Sequence, residues 1–401
     1  MKILIITQYF WPENFRINDL ALGLKERGHE ITVFTGKPNY PGGKFYKDYS
    51  FLGNRNEIWN GIKIIRSPLI PRGKGGGIRL FFNYISFAFF SSLKALFLNI
   101  KPDLIFVYEP SPITVGIPAI VIKNKTKANL IFWVQDLWPQ VLAVSGGIKN
   151  KNILKYVGLL TEWIYKHCDK VLVQSNAFTE YLVLQNVPKA KIKYYPNSTE
   201  PFYKPTLREP EYQKYFTSKY NLIFAGNIGE SQSFDTLLKA ATIIKNKNNE
   251  ICWTIIGDGR MKEYVSKKII EYGIEDNFKL IGSFPPTEMP KFFAYADALI
   301  LSLKKDFFIS LTIPSKLQSY MACGRPIIGC LDGEGARIIN EAGCGLVASG
   351  ENEEDLCKQV LEFFNLSEQD RKTMGQNALA FYKKEFDRET LLDELISITG
   401  E

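Results

Sequence analysis

Short apolar runs alternate along the chain with longer segments whose apolar positions recur every three or four residues, the periods of buried strands and amphipathic helices. Residues 2–7, 30–35, 62–66, 103–107, 129–134, 170–174 and 192–195 read as strands. Helices such as 15–27 intervene, that one closing on Gly28, which can take the left-handed turn of a helix end. A polar, proline-containing stretch, TEPFYKPTLREPEYQKYFTSK (199–219), breaks the rhythm. The pattern then restarts, with strands at 221–225, 251–256, 277–281, 298–302, 326–329 and 345–347. Helices fall at about 233–246, 259–272, 287–295, 315–323 and 352–364. Such alternation gives parallel sheets covered on both faces. The expectation is an α/β chain of two doubly wound Rossmann-like domains facing across a cleft. The first is 1–198, the linker 199–219 and the second 220–383. The last helices, 368–383 and 388–398, have no strand partner, and 384–401 is expected to pack back toward the first domain.

One segment departs from an ordinary surface helix. GIRLFFNYISFAFFSSLKALFLNI (77–100) is apolar almost all round and follows PRGKGGG. Its length matches a bilayer, but Arg79, Asn83 and Lys94 interrupt it and Lys101-Pro102-Asp103 leads into a core-like strand. A buried core helix and an interfacial helix lying in one leaflet both fit. In the second case Phe81, Phe82, Phe89 and Phe90 enter the lipid, and Arg72, Lys74 and Arg79 meet headgroups.

Charge sharpens that choice. The net charge of +8 hides an asymmetry, with 26 Lys and Arg against 13 Asp and Glu in residues 1–200 and 24 against 29 in the rest. A basic first half suits an anionic partner such as phosphate, lipid headgroup or nucleic acid, although a lysine-rich coding bias gives the same count. The six cysteines form no C-x-x-C pair and read as reduced, buried thiols of a cytoplasmic protein. Met1 is followed at once by the strand KILIIT, so no leader is expected. No D-x-D, P-loop or full G-x-G-x-x-G occurs, and the His and Cys spacings fit no zinc site.

Open α/β sheets bind ligands at the carboxyl ends of their strands. In the second half three such ends carry glycine: Gly226-Asn227-Ile228-Gly229, Gly257-Asp258-Gly259 and Gly282-Ser283. Tight turns alone can explain each, but three on one edge suggest backbone approaching a ligand. In ISLTIPSKLQSYMACGRPIIGC (309–330), Thr312, Ile313 and Ser315 precede or open a helix whose first N–H groups suit a phosphate. Lys316 stands in its first turn, where the helix dipole disfavours a cation. A diphosphate would supply the reason.

The motifs ITQYFWPE, LKERGHEITVFT, FWVQDLWPQ, YYPNS, LIFAGNIGESQSFDTLLKA, IIGDGRMKEYV and IPSKLQSYMACGRPII span nearly the whole chain. Together they resemble the GT-B glycosyltransferases of family 4, which are retaining sugar-nucleotide transferases. Within that family they look most like the bacterial O-antigen and capsule branch that includes N-acetyl-L-fucosamine transferases. The family's two glutamates around the short helix are represented here by Leu311 and Ser319. Its Arg and Lys after the first strand of the second domain are represented by Asn227 and Gln232. Donor contact is therefore expected from Lys316, from backbone near Thr312, and from Asn227, Gln232 and Ser319.

In the first half, Asp136 in QDLWP and Glu109 in VYEPSP each follow a strand. The resemblance implies a polar residue near the reacting carbon, and a carboxylate there can take a proton or steady positive charge. A loop-closing role fits both residues equally. Trp11, Glu13, Asn14 and Arg16, in YFWPENFR, are candidates for the acceptor. The resemblance implies a metal-independent enzyme with no cofactor beyond a UDP-sugar donor. It implies a polyprenyl-diphosphate-linked acceptor, an anionic membrane surface as partner in place of nucleic acid, and a place on the inner face of the plasma membrane. An epimerase of similar architecture and a non-catalytic sugar-nucleotide-binding subunit are the rival readings.

Overall fold

The apolar runs pair into two sheets. The computed structural model describes residues 1–53, 56–73, 77–144, 148, 150–216 and 218–400. They fall into two units, Met1–Pro196 with Glu389–Glu401, and Asn197–Arg388. The first unit holds β1 (Lys2–Ile6), β2 (Glu30–Gly36), β3 (Asn56–Trp59), β4 (Ile62–Ser67), β5 (Leu104–Glu109), β6 (Asn129–Val134), β7 (Lys170–Val173) and β8 (Ile192–Tyr194). Their order is β3-β4-β2-β1-β5-β6-β7-β8. All pairs are parallel except β3 with β4, which form a hairpin with Trp59 opposite Ile62. Asn60 and Gly61, both at positive φ, make its turn. This Asn-Gly pair is the residue choice that a two-residue hairpin favours.

The strand order reverses between β1 and β5, so the loops after these strands diverge and leave room for a ligand. Ile3, Ile5, Phe106 and Trp133 build the core on one face, and Leu391, Leu392, Leu395 and Ile398 complete it. The last helix, Arg388–Gly400, thus closes the first unit's core. The Tyr195 hydroxyl fixes it by donating to the Leu391 carbonyl at 3.0 Å, and Arg27 pairs with Glu389 and Asp393.

The second unit holds β9 (Tyr220–Ala225), β10 (Ile251–Ile256), β11 (Phe278–Gly282), β12 (Ala298–Ser302), β13 (Ile327–Cys330) and β14 (Gly345–Ala348). Their order is β11-β10-β9-β12-β13-β14, and every pair is parallel. The reversal lies between β9 and β12. Phe224, Leu237, Trp253, Ile300 and Val360 lie in its core. All six cysteines are free and buried.

The helix Gly77–Phe97 is turned inside out relative to a surface helix. Its buried face carries Asn83, Ser86, Phe87, Ala88, Ser91 and Ala95. Its exposed face carries Ile78 (79% exposed), Phe81, Phe82, Ile85, Phe89 (62%), Leu93, Leu96 and Phe97 (80%). It is the one helix among the described residues long and apolar enough to cross a membrane. The core-helix reading is thereby corrected: apart from Phe87, the side chains facing the protein are small or polar, and most of the large apolar ones face away.

Candidate functional site

In the second unit the glycine turns lock to one another beyond the strand ends. Gly226 N–H donates to Ile256 O, Ile228 N–H to Asp258 O and Gly257 N–H to Gly282 O, each at 2.8 Å. Two positions require glycine. Gly257 has φ +151°, and a Cβ there would lie 1.9 Å from Gly226 O; Gly226 has φ +140°, and its Cβ would lie 2.5 Å from Lys316 Cε. Part of the glycine signal is therefore loop packing, and part is room for Lys316. Gly259 packs against Ile228 O, and the Asn227 amide lies across Gly229 and Gly259. Gly282 and Ser283 follow on the next strand end, Ser283 exposed.

The helix Ser315–Ala322 begins after Pro314 with no side-chain cap. Tyr320 ties it to the end of β9: its hydroxyl accepts from Ala225 N–H (3.0 Å) and donates to Ala225 O (3.3 Å). That bond delivers Lys316, half-buried, to the β9 turn. Its ammonium stands 3.9 Å from the centroid of the Phe224 ring and donates to Gln232 Oε1. Among the described residues no carboxylate pairs with it, whereas neighbouring Lys304 pairs with Glu230 at 2.9 Å. Burial pushes Lys316 down to about 7. Thr312 is half-buried and Ser315 exposed at the same helix start, and Ile313 is buried in the core. Ser319 is buried too, its hydroxyl 3.0 Å from that of Thr199. It is engaged with the unit's own interior.

In the first unit the strand ends carry acids and aromatic rings instead. Glu109 ends β5 and is buried; its Oε1 accepts from Trp138 Nε1 at 2.9 Å and its backbone carbonyl from Gln135 N–H at 3.2 Å. Asp136 follows β6, and its own N–H reaches Glu109 Oε2 at 3.5 Å. Burial raises both carboxyls, and the Asp136 charge raises Glu109 further, well above the usual range. Glu109 has hydrogen-bond donors that fix the loop. The Asp136 carboxylate has none among the described residues.

Tyr84, from the inner side of the 77–97 helix, stands within the field of Asp136. Its hydroxyl is 3.5 Å from Ser111 Oγ and its ring meets Trp138 edge-on at 6.3 Å. Neither Tyr84 nor Ser111 was a sequence candidate. The EPSP turn after β5 was the available signal for Ser111; nothing local marks Tyr84.

The acceptor candidates separate. Glu13 is buried and holds the N–H groups of Asn39 and Tyr40 at 2.7 Å and of Phe10 at 3.3 Å. Burial raises it to about 7, against those bonds. Its carboxylate is occupied in pinning the loops after β1 and β2. Trp11 stacks on Trp59 at 5.9 Å, Asn14 is exposed, and Arg16 is the half-buried first residue of the helix Arg16–Glu26. Of the residues expected at a membrane, Phe81, Phe82 and Phe89 are exposed, as is Arg79, while Phe90 packs edge-on against Phe51 at 5.4 Å. Arg72 lies inward, its guanidinium 4.8 Å from the Tyr40 ring centroid. Lys74 lies outside the described residues. Among the described residues no group of three His, Cys, Asp or Glu side chains is placed to hold a metal.

Two doubly wound units in one chain, each with a furnished strand-end edge, are the GT-B architecture of sugar transferases. The comparisons agree. Residues 15–201 match the model of Glycosyltransferase Family 4, and residues 208–381 match Glycosyl transferases group 1. The chain thus has the GT-B fold, with a match to Glycosyltransferase Family 4 over its first unit followed by a match to Glycosyl transferases group 1 over its second. It is 27% identical over 230 residues to the probable glycosyltransferase WbjE of Pseudomonas aeruginosa, a match covering 54% of each chain. This is about half the length of that relative. It is 21% identical over 339 residues to the putative colanic acid biosynthesis glycosyl transferase WcaI of Escherichia coli K12, covering 81% of this chain and 82% of WcaI. Anabaena HepE, whose crystal structure is a complex with UDP, superposes over 100% of both chains with TM-score 0.72 at 12% identity, a likeness of fold.

Proposed function

We propose that the protein is a retaining, metal-independent glycosyltransferase of surface-polysaccharide synthesis (O-antigen or capsule). It moves a sugar, of the N-acetylated deoxy type, from a UDP-sugar to an acceptor sugar carried on undecaprenyl diphosphate. The second unit takes the donor and the first the acceptor. The observation that carries this reading is Lys316, a cation delivered to the end of β9 with an amide for a partner and no carboxylate among the described residues. A diphosphate supplies the missing charge, and as the sugar departs Lys316 and the N–H groups at the start of its helix meet the negative charge left on UDP. The UDP bound by HepE and the polysaccharide named for WcaI support the same reading. Asp136, without a donor on its carboxylate among the described residues, is the group suited to take the acceptor hydroxyl's proton.

The exposed apolar face of the 77–97 helix holds the enzyme on the inner leaflet, where a polyprenyl acceptor is found. A second helix, Lys151–His167, exposes Ile153, Tyr156 and Trp163 beside Lys151, Lys155 and Lys166. That is the same mixture of apolar rings and cations. Flotation with anionic vesicles at low and high salt checks this part: binding that weakens with salt is expected, and no binding at either would contradict it.

The test of the whole reading is a product. Purified protein is mixed with membranes holding polyprenyl-linked N-acetylglucosamine and a panel of UDP-sugars, with chelator present. A lipid product heavier by one sugar is expected for at least one donor. Leu311 and Ser319, in place of the family's glutamates, favour a second reading as a non-catalytic sugar-nucleotide-binding subunit. Donor binding with no turnover on any lipid acceptor would select it.

A further inference from the structure

The inner side of the 77–97 helix does more than fill space. Asn83 accepts from Gln8 Nε2 at 2.7 Å and donates to Ile70 O at 2.6 Å. Ser86 accepts from Ile70 N–H at 2.9 Å. Arg72 N–H in turn donates to Asn39 Oδ1 at 3.0 Å. These bonds hold the segment after β4, with Arg72 on it, against the loops after β1 and β2. Arg79, from the same basic stretch, is exposed.

The Arg72 guanidinium lies over Tyr40, and its charge reaches the hydroxyls of both Tyr9 and Tyr84. No carboxylate pairs with it among the described residues. Tyr9 is 3% exposed, and its buried hydroxyl, with Tyr84 as neighbour, lacks a hydrogen bond of ordinary geometry. A cation that no described carboxylate pairs with, beside two adjoining tyrosine hydroxyls that share at best one long bond, calls for an anion with acceptor oxygens. Tyr84 also stands in the field of Asp136, so the same place borders the proposed proton acceptor.

Resting on the reading of the first unit as the acceptor side, we propose that Arg72, with the hydroxyls of Tyr9 and Tyr84, is the phosphate site for the acceptor's diphosphate head. The lipid tail leaves along the exposed face of the 77–97 helix, and the sugar on the diphosphate reaches Asp136. Arg72 then serves the substrate, and membrane headgroups fall to exposed cations such as Arg79. The helix joins both tasks because its polar face builds the phosphate site and its apolar face meets the lipid.

Farnesyl diphosphate is the probe, titrated calorimetrically into protein whose Lys316 site is filled with UDP. Arg72→Ala is expected to weaken its binding about tenfold or more, the factor of one ionic hydrogen bond. Flotation on phosphatidylglycerol vesicles and UDP affinity stay unchanged. Arg79→Ala is expected to do the reverse, loosening the vesicles and sparing farnesyl diphosphate. Tyr9→Phe removes only a hydroxyl whose one neighbour, Tyr84, lies beyond ordinary hydrogen-bond geometry, so the fold is kept, and a weakening of about threefold or more is expected. Farnesyl diphosphate affinity unchanged in both Arg72→Ala and Tyr9→Phe would overturn the assignment. So would an Arg72→Ala protein that loses vesicle binding alone, since the anion would then be a headgroup. If UDP does not bind, the donor reading fails by itself, and the same titrations in Lys316→Ala protein still decide this one.

Discussion

The two units share one strand plan and differ in what stands at the ends of their strands. Both run outward from a first strand and reverse beside it, so both open an edge at the same topological place. In the second unit that edge is glycine turns around one lysine. In the first it is two raised carboxyls, an inward arginine and tyrosine hydroxyls. The scaffold therefore does not choose the chemistry. On the proposed reading, small residues let backbone and a cation approach a nucleotide on one side, and on the other burial prepares a carboxyl for a proton.

The contrast can be broken at either edge. The largest effect is expected from Asp136→Asn, which removes the proposed proton acceptor and keeps the shape: turnover falls by about 10²- to 10⁴-fold. UDP affinity, measured separately, stays unchanged because it belongs to the other edge. Gly226→Ala should follow. Its Cβ would press on Lys316 at a backbone angle that side chains avoid, at a cost of about 1–3 kcal/mol. UDP binding should weaken about tenfold or more while the polyprenyl substrate's KM is unaffected.

Acidity separates the edges next. Burial lowers Lys316 from 10.5 to about 7. Above that pH the free protein must take up a proton to meet a diphosphate, so UDP affinity should fall by up to about tenfold per pH unit. In Lys316→Met this slope should vanish. The unfolded chain holds the same proton more tightly, so stability should rise from pH 7 toward 10.5 in the wild type, more steeply than in Lys316→Met.

The smallest effect on turnover is expected at Glu109. Burial and the Asp136 charge raise its carboxyl well above the usual range and its oxygens serve the loop, so Glu109→Gln should retain activity within about threefold; an amide oxygen still accepts from Trp138. Glu109→Ala should instead lower stability by about 1–3 kcal/mol in denaturant titration, by stranding the Trp138 N–H. A loss on Glu109→Gln as deep as that of Asp136→Asn would make Glu109 a reacting group.

Most of the strand plan was legible because parallel strands buried on both faces are plain apolar runs. β3 was missed although Asn60-Gly61 announces a hairpin: NEIW alternates weakly and sits at an edge. Lys316 stands out in the sequence as a candidate, since a cation in a first helical turn is out of place. Glu13 could not be placed, because a carboxylate bound to three backbone N–H groups looks like any exposed acid until the loops after β1 and β2 are folded together. Arg72 read as a headgroup cation for a similar reason. The backbone that carries it is held by Asn39, Asn83 and Ser86, which the sequence spreads over some fifty positions.

The central claim is that Lys316 has its counter-ion in the donor's diphosphate. Calorimetric titration of UDP into the wild type and Lys316→Ala at pH 7 tests it directly. Losing an ionic hydrogen bond worth about 1.5–3 kcal/mol should raise the dissociation constant tenfold or more. Equal dissociation constants in the two proteins would contradict the account.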